Sequence, residues 1–188
     1  MIITISGSPG SGKSTVAEKL AKKLRYRRHY AGAMQREIAK KKGLTLEESS
    51  RINEKDFTVD KLVDEVFKKM NRDKKADKII AEGRTAFYFI PRSLKIFIHV
   101  DPKEGAKRIF NGLKKQKDRN EDKNLTSVAA VLKSLKRRLK SEGIRYQKYY
   151  KLNIWQKKHY DLWLDATKLD KKQEFDAIWQ FVKSRLDT

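Results

Sequence analysis

Gly7-Ser8-Pro9-Gly10-Ser11-Gly12-Lys13-Ser14 fits G-x-x-x-x-G-K-[ST], the spacing of a phosphate-binding loop, and Thr15 adds a second hydroxyl. Each residue type suits polyphosphate. Glycines reach backbone conformations closed to other residues, so successive N–H groups can turn inward on one anion. A helix N-terminus behind the loop adds unpaired donors and a partial positive charge. Lys13 can reach the β- and γ-phosphates of a nucleoside triphosphate, and Ser14 can hold its magnesium. With Gly near 7 % of ordinary usage, a chance match in a chain of this length is roughly 1 in 100 or rarer. Further along, Glu82 closes a short apolar run. An acid there can hold magnesium through water or accept a hydrogen bond from Ser14, and the two roles are compatible.

Such a loop needs a strand before it and a helix after it. Ile2-Ile3-Thr4-Ile5 is the β-branched run of a buried strand, and Val16, Leu20, Ala21 and Leu24 then fall on one helix face. Strand signals recur at Ile79–Ala81, Leu94–Val100 and Tyr160–Leu164, with a weaker one at Tyr26–Tyr30 whose basic residues suit a sheet edge. Helical patterns lie between them. Met34 to Lys42, Leu46 to Ile52 and Val59 to Met70 form one excursion, and Pro102 starts another helix. Gln116 to Asn124 is polar and reads as a mobile stretch. Val128 to Tyr150 is a long basic helix with a candidate break at Gly143, and Asp170 to Leu186 is amphipathic. Alternation of this kind predicts an α/β domain spanning 1–188, a parallel sheet with helices on both faces, and ligands beyond the strand C-termini.

Composition narrows the chemistry. There are no cysteines, which excludes disulfides, thiol nucleophiles and Cys-ligated zinc, and His29, His99 and His159 are too scattered to suggest a metal site. His99, inside an apolar strand, reads as a core histidine. No apolar run approaches the roughly 20 residues of a membrane span, and the first residues read as a strand, not a signal peptide, so a cytoplasmic location is expected. The 46 Lys and Arg against 24 Asp and Glu leave a net charge of +22. Ten basic residues lie between Lys19 and Lys42 and eleven between Lys114 and Arg145. Such a surface is either a solvated lysine coat or a polyanion-binding face, for which RNA is the obvious partner.

Beyond the loop the chain carries Ala31-Gly32-Ala33-Met34-Gln35-Arg36-Glu37, then Lys42-Gly43-Leu44-Thr45-Leu46-Glu47-Glu48, then Ile80-Ala81-Glu82-Gly83-Arg84. Ser141-Glu142-Gly143-Ile144-Arg145-Tyr146 and Tyr160-Asp161-Leu162-Trp163-Leu164-Asp165-Ala166-Thr167 complete the set. In this order, from Met1 to about Asp170, the segments resemble the archaeal-type cytidylate kinases of the nucleoside monophosphate kinase group. The resemblance implies a five-stranded parallel P-loop kinase core, an acceptor-binding helical insertion (33–72) and a mobile lid (about 112–146). It implies transfer of the ATP γ-phosphoryl to CMP or dCMP with magnesium. Two other functions fit the residues: an adenylate kinase-like enzyme of the same group, and an RNA-binding NTPase acting in RNA or ribosome assembly.

The resemblance assigns ATP phosphates to Gly7, Ser8, Pro9, Gly10, Ser11, Gly12, Lys13, Ser14 and Thr15, and magnesium to Ser14 and Glu82, the latter through water. Arg36 and Arg84 match positions that grip the acceptor phosphate. Lys13 and Arg84, with Arg138 and Arg145 as lid arginines, are the catalytic set, and Arg137 is an alternative to Arg138. Planar guanidinium forks pair bidentately with phosphate oxygens, which suits two anions brought together. Ala33 stands where the family commonly has an aspartate, and Gly112 near a second lid-base arginine. Phe87-Tyr88-Phe89 either lines the acceptor base pocket or covers the sheet end. Trp155, Trp163 and Trp179 read as packing residues, with base stacking an alternative for Trp155.

Overall fold

A computed structural model describes residues 1–113 and 125–186. Its first strand, β1 (Ile2–Gly7), is buried along its whole length, as a central strand covered on both faces must be. Helix α1 (Lys13–Leu24) follows the loop, and β2 (Arg27–Tyr30) lies at the sheet edge, where half-exposed basic side chains are tolerated. Helices α2 (Ala31–Lys41), α3 (Leu46–Lys55) and α4 (Thr58–Arg72) then precede β3 (Ile79–Glu82). A short α5 (Ala86–Phe89) leads to β4 (Leu94–His99), α6 (Pro102–Leu113) and α7 (Val128–Tyr150). The chain closes with β5 (Leu162–Asp165) and α8 (Lys171–Ser184).

The five strands run parallel in the order β2-β3-β1-β4-β5. One sheet face packs Ile3, Ile5 and Ile98 against Leu20 of α1 and Ile178 of α8. The other packs Ile2, Ile79 and Ala81 against Val63 and Phe67 of α4. The predicted α/β core with helices on both faces, and the edge position of the basic strand, are therefore observed. No helix among the described residues is long and apolar enough to cross a membrane.

Two expectations change. Helix α7 runs unbroken through Gly143. A side chain there would meet open space, and the roughly 1 kcal/mol cost of a helical glycine is met by its buried neighbours Glu142, Arg145 and Tyr146. The expected mobile stretch Gln116–Asn124 lies outside the described residues.

Candidate active site

The loop between β1 and α1 takes its shape from two glycines. Gly10 and Gly12 have φ of 76° and 82°, the left-handed region that side chains disfavour. At Gly10 a Cβ would also come within 2.4 Å of the Gly105 carbonyl on α6. Ser8 N–H donates to the Ile98 carbonyl at 2.9 Å, which anchors the loop to the C-terminal end of β4. Lys13 opens α1 beneath the loop mouth. Burial, and then the charge of Arg84, lower its ammonium pKa, while Glu82 at 3.9 Å acts the other way. Ser14 Oγ donates to Glu82 Oε1 at 2.5 Å, and Arg28 holds Glu82 Oε2 at 2.6 Å. Glu82 itself is fully buried at the end of β3.

Three arginines converge on this point from different elements. Arg36 comes from α2 and hydrogen-bonds the hydroxyl of Tyr30. Arg84 follows β3, donates from Nε to Glu142 at 2.7 Å, and also reaches the Gly7 carbonyl. Arg138 comes from α7. Two pockets meet among them. One is the cleft inside the phosphate loop, from Pro9 to Thr15. The other extends under α2 and α4 toward Gln35, Asp60, Asp64 and Thr85. Lys13, Tyr30, Arg36, Arg84 and Arg138 line both, so the junction consists of four cations and one phenol.

A model of the cytidylate kinase-like family matches residues 2–168. The chain belongs to the cytidylate kinase-like family. Relatives named cytidylate kinase include one from Archaeoglobus fulgidus, 34 % identical over 97 % of this chain and 95 % of that protein. Another, from Methanospirillum hungatei, is 37 % identical over 88 % of this chain and 87 % of that protein. Among solved structures, an uncharacterized protein from Eubacterium ventriosum superposes with a TM-score of 0.70 at 19 % identity, covering 98 % and 99 % of the two chains. A shikimate kinase from Bacteroides thetaiotaomicron gives a TM-score of 0.62 at 16 % identity, covering 100 % and 99 %. These two show the fold.

Within this member of the cytidylate kinase-like family, the sequence-derived residues divide. Arg36, Arg84, Arg138, Lys13 and Ser14 surround one cleft, with Glu82 beneath it. Arg145 stands elsewhere. It is 3 % exposed, donates from Nε to Asp60 at 2.6 Å, and reaches the Ser50 carbonyl and Ser141 Oγ at 3.2 and 2.7 Å. It lines neither pocket. Arg137 is exposed, so Arg138 is the arginine of that pair which faces the cleft. Ala33 is exposed too and lines neither pocket. Phe87 packs with Tyr146, Leu152 and Ile154, and Phe89 meets the Tyr150 ring edge-on at 5.2 Å. None of Phe87, Tyr88 and Phe89 lines the second pocket. Trp155 meets Phe97 edge-on at 5.6 Å, with the Arg84 guanidinium 5.9 Å from its ring.

Sequence reading missed the acids of the second pocket. Asp60 and Asp64 sit one turn apart on the buried face of α4, in phase with Val63 and Phe67. Two carboxylates in step with an apolar stripe were the available signal. Burial pushes the Asp60 carboxyl up against the pull of Arg145. It pushes Asp64 up to about 6, although Thr85 Oγ1 at 2.5 Å and the Tyr150 hydroxyl donate to it. Glu142 is also buried, yet Arg84, Arg138 and Arg145 hold its carboxyl below the ordinary value. Tyr30 was missed as well. Burial raises its phenol, but Ser14, Arg36 and Lys13 outweigh that and lower it.

Proposed function

We propose that this chain transfers the γ-phosphoryl of ATP to CMP or dCMP. The observation that carries the reading is the shared junction: four cations and Tyr30 lie where a loop-bound triphosphate and a second phosphate would meet. An acceptor phosphate is already an oxyanion, so no general base is required. One of its oxygens forms the new bond to the γ-phosphorus as the bond to the β–γ bridging oxygen breaks, and ADP leaves with that charge. Catalysis then rests on alignment and on neutralising charge spread over the equatorial oxygens. Arg36 and Arg84 hold the acceptor phosphate, and Lys13 and Arg138 attend the transferring group. Helices α2 to α4 act as the acceptor-binding insertion and α7 as the lid side. Arg145 shapes the acceptor pocket through Asp60 and does not touch phosphate.

Ser14 and Glu82 fit magnesium, since a hydroxyl and a carboxylate are the hard oxygen donors it takes. Arg28 and Ser14 already occupy the Glu82 oxygens, so Ser14 would ligate directly and Glu82 through water. The metal would neutralise charge on the β- and γ-oxygens. Among the described residues no group of three acids and histidines competes for it.

The far end of the acceptor pocket supports cytosine. Asp60, Asp64 and Gln35 supply acceptors suited to the exocyclic amino group, where uracil presents a carbonyl. Coupled ADP release with ATP and magnesium, against CMP, dCMP, UMP, AMP and GMP, tests the reading. Turnover with CMP or dCMP at least about tenfold above the others is expected. Equal slow hydrolysis without acceptor would sink it and favour an NTPase; fastest turnover with AMP would favour an adenylate kinase-like enzyme.

A further inference from the structure

Outside the junction, one buried acid is left half unpartnered. Glu174 lies in the first turn of α8 and is 3 % exposed, yet its Oε1 has no hydrogen-bond partner among the described residues. Its Oε2 faces Arg108 Nη1 at 3.8 Å. A buried carboxylate oxygen without a donor is costly, and proteins retain one mainly where something else supplies the donor. The carboxylate also abuts the phosphate loop, since a Cβ on Gly12 would come within 2.8 Å of Oε1.

Glu174 opens into a groove between α1, α6 and α8, lined also by Thr15, Lys19, Asn111 and Leu169. This groove shares Gly10, Gly12, Thr15 and Ile109 with the loop cleft and no residue with the acceptor pocket. A triphosphate seated in the loop, with its γ end at the cationic junction, therefore directs its nucleoside into this groove. Arg108 supports the wall, donating to the carbonyls of Ala166, Thr167 and Leu169 at 2.9, 3.3 and 3.2 Å.

We propose that Glu174 Oε1 accepts a hydrogen bond from the nucleoside of the phosphoryl donor, making Glu174 a specificity-determining residue of the donor site. The inference rests on the donor reading of the loop given above. Three groups on adenosine can donate: the 2′- and 3′-hydroxyls of the ribose and the 6-amino group. Contact with Gly12 puts Oε1 close to the phosphates and favours the ribose. Burial also pushes the carboxyl up to about 7, against Arg108 and Lys19, as expected of an acceptor whose donor arrives with ligand.

Equilibrium titration calorimetry with ADP, 2′-deoxy-ADP, 3′-deoxy-ADP and IDP tests this without requiring turnover. Wild type is expected to bind ADP about tenfold or more tighter than at least one of the others, the cost of losing one hydrogen bond to a charged group. Glu174→Leu removes the acceptor and Glu174→Gln keeps the shape without the charge. Both should weaken ADP and narrow that gap. A gap that closes for a deoxy form assigns the ribose, and one that closes for IDP assigns the 6-amino group. Unchanged ADP affinity in folded variants, or gaps that survive both substitutions, overturns the inference alone. Failure of wild type to bind any of the nucleotides overturns the donor reading beneath it.

Discussion

Glu174→Gln should make the ligand-free protein more stable, and increasingly so as pH rises. Glutamine has the shape of the protonated acid and carries no charge, so it removes only the cost of ionising a buried group. The sign follows from linkage. With its carboxyl raised from 4.5 to about 7, the native state holds the Glu174 proton across an interval where the unfolded chain has lost it. Stability is therefore full below pH 4.5 and declines as pH rises through about 7. At about 1.4 kcal/mol per tenfold, that interval bounds the loss at about 3 kcal/mol. The charged groups around the carboxylate are Arg108 and Lys19, with Glu104, Asp170 and Lys171 also on the groove. Other buried acids are common to both proteins and cancel in the difference. For a domain of this size each kcal/mol moves Tm by about 2–4 °C, so a gain of up to about 6–12 °C is expected at pH 8.5 and almost none at pH 4.5. Differential scanning calorimetry at both pH values measures it. An equal shift at the two, or none at pH 8.5, would refute the argument that ionisation of a buried Glu174 opposes folding.

Three other outcomes are expected. Arg138→Ala should lower kcat about 100-fold or more, whereas Arg137→Ala should change it less than about threefold, measured by coupled ADP release with CMP. Arg145→Ala strands Asp60 inside the fold and should cost about 3–5 kcal/mol by urea denaturation, with part regained in the Arg145→Ala/Asp60→Asn double variant. The CMP KM should rise as pH falls through about 6, where the raised Asp64 carboxyl loses the charge that receives the base amino group, and Asp64→Asn should flatten that profile.

The phosphate loop was legible because its chemistry is local: glycine spacing, one lysine and one hydroxyl fix the geometry within eight residues. The sheet was legible because apolar runs with turns between them admit few parallel arrangements, and the basic content of Arg27–Tyr30 placed it at the edge. Gly143 misled because helix propensity is local while the cost is met by distant packing. Arg145 is grouped with Arg138 as a lid arginine by the resemblance. Its partner Asp60, 85 residues away, cannot be read from spacing. The acids of α4 were overlooked for a related reason, because a carboxylate on a helix reads as solvated until the packing of its face is known.

Helix α7 shows what spacing could and could not supply. Arg138, Glu142 and Arg145 stand at i, i+4 and i+7, so they share one face, and each meets a different neighbour. Arg138 faces the phosphate cleft, Glu142 pairs with Arg84 at the end of β3, and Arg145 pairs with Asp60 on α4. One helix thereby ties the junction to the sheet and to the acceptor pocket. A displacement that withdraws Arg138 must stretch both buried pairs, and breaking either leaves an uncompensated charge. Buried ion pairs also set the electrostatics around the junction. Glu142 offsets Arg84 and Glu82 offsets Arg28, while Arg36 rests on the Tyr30 hydroxyl. On the proposed function, an arriving acceptor phosphate would compete with Glu142 for Arg84 and, among the described residues, would meet no acid paired with Arg36. On that reading Arg36 would make the first contact, and full engagement of Arg84 would require an adjustment at Glu142 that α7 transmits to Arg138.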